Sequence, residues 1–297
     1  MPKTKPSSEI EVLHVNEINS LEIKFCVIGI SPMIMNRFQQ KAWQELLLPS
    51  QRKNSAERMA SLKHDPIAEF RGAVYRNRDP NSPAYAHIPS GAFKGALASA
   101  ALDIPGATKA KIERLTAIVD VNIDLYGIPN VLCSMVRNSD MNRTPDVRTR
   151  PIFPEWACMV RVKYIQTLLT ERTVVNLFQA AGQIVGIGDW RPQKGGSFGT
   201  FRCAGEDDAD YQRIVSKQGR KAQEAALATP IFYDDDTAEL LAWFEKEILT
   251  RERSNMLESS GKRGKRDMPD APITDETIIG NIKTNSRSRR GGRNASV

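Results

Sequence analysis

Five glycines bracket Trp190, Arg191 and Lys194 in the segment 186–201, which reads GIGDWRPQKGGSFGTF. Trp190 offers a flat surface for stacking on a base, while Arg191 and Lys194 offer positive charge to phosphates. Glycine reaches positive φ and lets backbone N–H groups approach a ligand closely. The glycine spacing matches neither a P-loop nor a dinucleotide-binding motif. The segment therefore predicts a site for a sugar-phosphate chain, with a charged surface loop as the alternative.

A second block with a cation lies about a hundred residues earlier, where residues 88–95 read IPSGAFKG. Ser90 is suited to cap a helix, and the small residues that follow permit close packing. Lys94 would then lie in the first turns, where a cation opposes the helix dipole unless an anion lies nearby. The block therefore predicts a second phosphate contact. The alternative is that Lys94 is solvated and binds nothing.

An arginine-rich segment with little periodicity spans residues 137–156. Arg143, Arg148 and Arg150 predict a flexible arm that tracks phosphates, because arginine binds phosphate in bidentate fashion. The prolines of the segment argue against pairing as a strand. Alternatively, Asp140 and Asp146 pair with two of the arginines and the segment covers an edge strand.

Other catalytic chemistry finds little support in the sequence. The acid clusters 207–208 and 234–236 stand at helix starts, where carboxylates act as caps. Asp120, Asn122 and Asp124 alternate on one strand face, which favours a solvated face over a metal site. The four cysteines and three histidines are scattered, so buried thiols are expected and no triad is assigned. We predict no catalytic residue, metal or cofactor.

The positive charge is unevenly distributed along the 297 residues. Of the net +7, residues 261–297 supply +5, with nine Lys or Arg against four Asp or Glu. Such a tail favours a polyanion, although a merely solubilising tail is the alternative. No long apolar run or signal-like start is present, so we expect a cytoplasmic protein of a bacterial or phage-infected host cell, with no membrane contact.

The elements that must position these residues alternate between strands and helices. Strands are predicted at 21–29, 68–75, 119–126, 131–136, 157–165 and through Phe201, and helices at 38–48, from Ser90, and at 107–115, 171–185, 208–227 and 236–250. The strands 119–126 and 131–136 are expected to form a hairpin. We expect Trp156 to enter the core. The order predicts an α+β fold, an RNA-recognition-like (ferredoxin-like) antiparallel sheet with helices on one face, inserted loops and C-terminal helices.

The predicted organisation has four parts. They are an N-terminal arm (1–20), a nucleic-acid-binding core (21–205), a C-terminal helical segment (206–252) and a disordered basic tail (253–297).

Two blocks of the chain resemble a known superfamily. Residues 88–95 are similar to the Ile-Pro-Gly-Ser-Ser-Leu-Lys-Gly element of the RAMP superfamily, the backbone subunits of CRISPR effector complexes, and 186–201 resembles its C-terminal glycine-rich loop. The chain also looks like phage and prophage proteins of unassigned role that carry the motifs found here as Arg148–Trp156 and Gly188–Pro192. The blocks match in order and spacing over about residues 21–203.

The resemblance implies a palm that grips single-stranded nucleic acid, with copies of the chain side by side in a filament. Some members cleave RNA with an aspartate after the first strand, but residues 31–37 contain none, which favours binding alone. RNA is the favoured partner, with copies of the chain and other effector or recombination subunits. Alternatives are a phage protein that binds and anneals single-stranded DNA, a RAMP-type endoribonuclease, and an assembly protein whose tail alone contacts nucleic acid. The residues expected to contact nucleic acid are Ser90, Lys94, Arg143, Arg148, Arg150, Trp190, Arg191, Lys194, Gly195, Gly196 and Ser197.

Overall fold

The computed structural model describes residues 17–38, 47, 64–137 and 145–264, with side chains as far as 251. Two compact units divide the chain at 241/242, and every element discussed below up to Leu241 belongs to the first. The strands are β1 (Ser20–Gly29), β2 (Met33–Ile34), β3 (Ala86–Pro89), β4 (Thr116–Ile118), β5 (Asn122–Tyr126), β6 (Asn130–Arg137), β7 (Pro145–Phe153), β8 (Ala157–Ile165) and β9 (Phe201–Ala204). The helices are α1 (Pro66–Gly72), α2 (Ser90–Ala100), α3 (Lys109–Leu115), α4 (Glu171–Ala180), α5 (Ala209–Lys217), α6 (Arg220–Ala228) and α7 (Asp235–Gly264).

The fold is α+β, as predicted, and is built on an antiparallel sheet. Its strand order is β3-β5-β8-β1-β9, and β4 also pairs with β8. A second sheet has the order β2-β7-β6. In β8 the alternation of side chains matches their burial: Cys158, Val160 and Val162 are buried, while Met159 is exposed.

Helices α2 and α4 cover one face of the main sheet through aromatic packing. Phe178 of α4 stacks on Phe25 of β1 with ring centroids 4.2 Å apart, and on Phe93 of α2 at 5.9 Å. Trp156 is fully buried, as predicted, and its Nε1 donates to the Ser31 carbonyl at 2.9 Å. On the opposite face, α5 packs against the end of the sheet around Cys26.

The segment 68–75 is helical at its start, so the predicted strand is wrong. Asp65 caps α1 by accepting from the Ala68 N–H at 3.0 Å, and Pro66 supplies the preset φ of a first helical turn. Ser90 was also wrongly assigned as a cap: it is the first residue of α2, Pro89 holds the cap position, and no side chain in the described part of the chain caps this helix.

The predicted hairpin between 119–126 and 131–136 is wrong. β5 pairs with β3 and β8, whereas β6 pairs with β7 in the second sheet. The chain leaves the main sheet at Gly127, whose φ of +148° and close approach to the Glu155 carbonyl exclude a side chain. Short sequence separation therefore did not decide the pairing.

The predicted flexible arm is also wrong for residues 145–153, because they form β7 in the middle of the second sheet. Pro151 is tolerated there because the N–H and C=O of its partner Val131 point away from β7. The Val131 N–H donates to the Ile231 carbonyl, and the Val131 carbonyl accepts from the Tyr233 N–H. The missing N–H of Pro151 therefore breaks no hydrogen bond between β7 and β6.

The last helix, α7, continues to Gly264 and so includes the first twelve residues of the predicted basic tail, 253–264. The rest of that tail, the arm residues 1–16, most of the predicted helix 38–48 and Arg143 lie outside the described residues. The four-part division of the chain stays a prediction. No helix within the described ranges is both long and apolar enough to cross a membrane.

Candidate nucleic-acid interface

The two blocks singled out in the sequence face each other across a groove. Small residues of α2 form one wall, and the loop 186–200, which we call the glycine loop, forms the other. The polar half of this groove is a cavity of about 300 Å³. Its α2 wall consists of Gly91, Ala92, Gly95, Ala96 and Ser99, which recur on one helix face.

The glycine loop starts from a change in helix geometry. After α4 the chain makes a π-helical turn at Ala181–Val185, and Gly186 follows with φ +69°. The turn rotates the apolar stripe predicted for 171–185, so that Val185 is buried and Ile184, which was assigned to the stripe, is exposed. The Gly186 N–H donates to the Ala181 carbonyl, which directs the loop over α2.

Two glycines of the loop are required by packing within the protein. A Cβ on Gly196 would lie 1.7 Å from the Trp190 carbonyl oxygen, and one on Gly199 would lie 1.8 Å from that of Ile187. Gly195 differs: it ends a short 3₁₀ turn (Pro192–Lys194) with φ +77°, and a Cβ there would meet nothing within 4 Å. The backbone of the loop is thus fixed by internal contacts before any ligand binds.

Three cations line the polar half of the groove: Arg191, Lys194 and Lys109. The Arg191 guanidinium is oriented by neutral partners, since Nε and Nη2 donate to Gln193 Oε1 at 3.1 and 2.9 Å and Nη1 donates to the Gly188 carbonyl at 3.0 Å. Gln193 Nε2 in turn donates to Ser99 Oγ of α2 at 2.9 Å. One residue therefore ties the loop to the helix and orients the arginine.

The groove continues into a second cavity of about 350 Å³ with a different lining. Its apolar walls include Met33, Met35 and Tyr75, while Asn36 and Asp189 contribute polar atoms. Gly91, Ala92, Gly188 and Arg191 border both cavities, so the two are adjacent parts of one groove.

Of the predicted contact residues, Arg191 and Lys194 line the groove. Lys94 is exposed on α2 but borders neither cavity, and Ser90 is half-buried. Trp190 is 39% exposed, with φ +50° and its ring 6.3 Å from that of Phe198. Gly195 and Ser197 are exposed and Gly196 is half-buried in the same loop.

The two described arginines of β7 both meet carboxylates. Arg150 Nη1 pairs with Asp189 Oδ2, and only 15% of the Arg150 side chain is exposed. Arg148 lies 3.3 Å from Asp146 and is about half exposed. Asp146 therefore pairs with one arginine, as the alternative expected, whereas the partner of Arg150 is Asp189 and Asp140 lies outside the described residues.

Sequence reasoning missed Lys109, Gln193 and Ser99, as well as Asn36 and Tyr75 of the apolar cavity. The spacing of small residues from Gly91 to Ser99 was the available signal for the helix wall. Nothing in the sequence marks Lys109, because its place in the groove depends on how α3 returns beside α2.

Both aspartates of the acidic strand face make contacts within the protein. Asp120 pairs with Arg161, and Asp124 Oδ1 accepts from Asn77 and Ser82. Among the described residues, no group of three or more His, Cys, Asp or Glu is placed to hold a metal ion. Burial raises the pKa of the Cys203 thiol to about 11, so this thiol is neutral near pH 7.

The acid clusters act as caps, as predicted. Asp208 accepts from the backbone N–H of Asp210 and Tyr211 at the start of α5, and Asp234 accepts from that of Thr237. The Arg202 guanidinium beside Asp208 lowers the pKa of that carboxyl.

Comparison with known proteins gives structural similarities of low score. No protein-family model matches the chain, and no curated protein does. Among solved structures, the chain is similar to Cmr6 from Pyrococcus furiosus, at 10% identity and a TM-score of 0.31, over 63% of this chain and 100% of that one. It is also similar to a chain of the Type III-B Cmr-beta complex bound to cognate target RNA, at 12% identity and a TM-score of 0.31, over 61% of this chain and 60% of that one.

Proposed function

We propose that this protein is a non-catalytic subunit that binds single-stranded nucleic acid, RNA in preference to DNA, in the groove between α2 and the glycine loop. The observation that carries the proposal is the convergence of Arg191, Lys194 and Lys109 on one cavity beside an apolar one. A nucleic-acid strand combines these two chemistries in each nucleotide, because it has a charged phosphate and a flat apolar base.

The charge of the groove supports a polyanion. Arg191 is held by a side-chain amide and a backbone carbonyl, and no carboxylate among the described residues pairs with it. The ion pair of Lys109 with Glu113 is long, at 3.9 Å, and exposed. Three such phosphate contacts predict that the logarithm of the association constant falls with that of the salt concentration with a slope of about −2.

The preference for RNA and the assembly of copies rest on the RAMP resemblance. The two blocks that carry it, residues 88–95 and 186–201, supply the start of α2 and the glycine loop, which are the two walls of the groove. Under this proposal, copies of the chain bind side by side along one strand. Effector or recombination subunits are the further partners.

Fluorescence anisotropy with a labelled RNA of mixed sequence tests the groove. Between about 50 and 200 mM salt we expect the slope above, and Lys109→Ala, Arg191→Ala and Lys194→Ala should each make it shallower by about 0.7. Lys221→Ala is the matched control, because it removes the same charge from an exposed position on α6 outside the groove.

Three results would contradict the proposal. If the groove variants bind RNA with the affinity and salt slope of Lys221→Ala, the contact with nucleic acid lies elsewhere, for example in the basic tail. DNA of the same sequence bound more tightly than RNA would favour the phage DNA-binding alternative. Shortening of end-labelled RNA, with or without a divalent cation, would establish the endoribonuclease alternative.

A further inference from the structure

The apolar half of the groove has the size and lining of a pocket for one flat heteroaromatic group. Its volume of about 350 Å³ lies at the lower end of the range for small-molecule sites. Tyr75 contributes an aromatic ring, and Met33 and Met35 contribute polarisable thioethers that pack well against π systems. Gly91 and Ala92 of α2 keep the entrance from the polar half free of bulky side chains.

The pocket carries one strong acceptor that the protein does not use fully. Asp189 Oδ2 is engaged by Arg150, and the Asn36 Nδ2 donates to it over a long 3.4 Å. Within the described ranges, Asp189 Oδ1 has no hydrogen-bond partner, and 32% of the side chain is exposed. The position of Asp189 is fixed because its backbone N–H donates to the Ile34 carbonyl at 2.9 Å.

Arg191 connects this pocket to the phosphate side. It borders both cavities, and its orientation is set by Gln193 and Gly188. A phosphate at the polar side and a base in the apolar side would therefore belong to the same or to neighbouring nucleotides, both beside one arginine.

We propose that this pocket takes one unstacked base of the bound strand and selects bases that bear an exocyclic amine over uracil, through Asp189 Oδ1. The inference rests on the proposed function, since it assigns a specificity to the same groove. A carboxylate only accepts hydrogen bonds. Cytosine N4 and adenine N6 donate, whereas uracil presents the O4 acceptor at the position of the cytosine amine. An unpaired base exposes this edge to the protein.

Cytidine and uridine dodecamers, labelled alike, test the selection on the full-length protein. They share length and charge and differ at the 4-position of the base and at N3, which carries a hydrogen only in uracil. We expect the wild type to bind the cytidine strand about tenfold more tightly, within the range that one good base contact provides. Asp189→Asn keeps the shape of the side chain but replaces one acceptor oxygen by a donor group, so the ratio should fall to near one.

Two controls separate base reading from other effects. Asp103→Asn makes the same charge change at an exposed position outside the groove and should keep the tenfold ratio. In the unaltered protein, an adenosine dodecamer should bind more tightly than one of purine riboside, which lacks only the amine. This comparison holds even if Asp189→Asn, by releasing Arg150, disturbs the fold.

The outcomes distinguish this inference from the proposed function. Equal binding of cytidine and uridine strands with the expected salt slope overturns the base pocket and leaves the groove intact. A preference retained by folded Asp189→Asn, or no effect of the adenine amine, overturns the role of Asp189. No salt-dependent binding of any strand means that the proposed function itself fails.

Discussion

Gly95 allows the groove to be blocked without weakening the fold. It is the sixth of eleven residues in α2, and a Cβ built there meets nothing within 4 Å. Glycine in a helix interior costs about 0.8–1 kcal/mol relative to alanine, and leucine is close to alanine. Because the added Cβ strains no contact with the described residues, Gly95→Ala should raise the free energy of unfolding by up to that amount, and we expect a similar gain for Gly95→Leu.

The two substitutions should differ sharply in binding. Alanine adds one carbon to the wall of a cavity of about 300 Å³, whereas leucine extends a branched side chain toward Arg191 and Lys194. A strand that follows this groove must lose close contact with at least one of these cations. We expect at least a tenfold weaker association for Gly95→Leu, about 1.4 kcal/mol, and little change for Gly95→Ala.

Urea denaturation and anisotropy on the same preparations measure both effects. A more stable Gly95→Leu protein that binds RNA weakly would separate the site from the fold, since misfolding could not explain the loss. Binding of Gly95→Leu with the affinity of Gly95→Ala would refute the reasoning, because the strand would then follow another path.

Two further predictions concern the scaffold. Gln223 is fully buried; its Oε1 accepts from the N–H groups of Tyr85 and Ala86, and its Nε2 donates to two carbonyls. In Gln223→Leu these four backbone groups lose their partner. We expect the free energy of unfolding, measured in urea, to fall by about 3 kcal/mol or more. The Arg213 guanidinium lowers the pKa of Glu155 from its ordinary value of 4.5. The ionised carboxylate therefore contributes stability above pH 4.5, and this contribution is lost as the pH falls through the lowered pKa. In thermal melts below pH 4.5, the wild type should lose stability more steeply than Glu155→Gln.

Strand faces could be predicted from the sequence where burial on one side has a period of two. In β8 the alternation shows which side chains point into the core, whereas residues 25–28 of β1 are all buried because both faces of that strand are covered. The same information does not say which strands pair. β6 pairs with β7 because the chain turns away at Gly127, and β7 tolerates Pro151 because of bonds from residues near 231, a hundred positions from Val131.

The candidate site divides in the same way. Arg191 and Lys194 could be named because a glycine-rich segment with cations is a local pattern, and α2 because its small residues are regularly spaced. Lys109 and Asp189 could not be given their places, since a cavity lining depends on tertiary contacts. Arg150 shows the converse: its residue type fits phosphate, but in the fold Asp189 lies beside it.

The sheet topology explains why blocks a hundred residues apart meet. α2 follows β3 at one edge of the main sheet, and α4 precedes β9 at the other edge, while both helices lie on the same face. The loop between α4 and β9 passes over α2, where Gln193 Nε2 donates to Ser99 Oγ. This hydrogen bond joins a neutral amide to a neutral hydroxyl and therefore engages no charged group. Arg191 thus enters the groove with its orientation set and its charge intact, which is the condition for a salt-dependent phosphate contact.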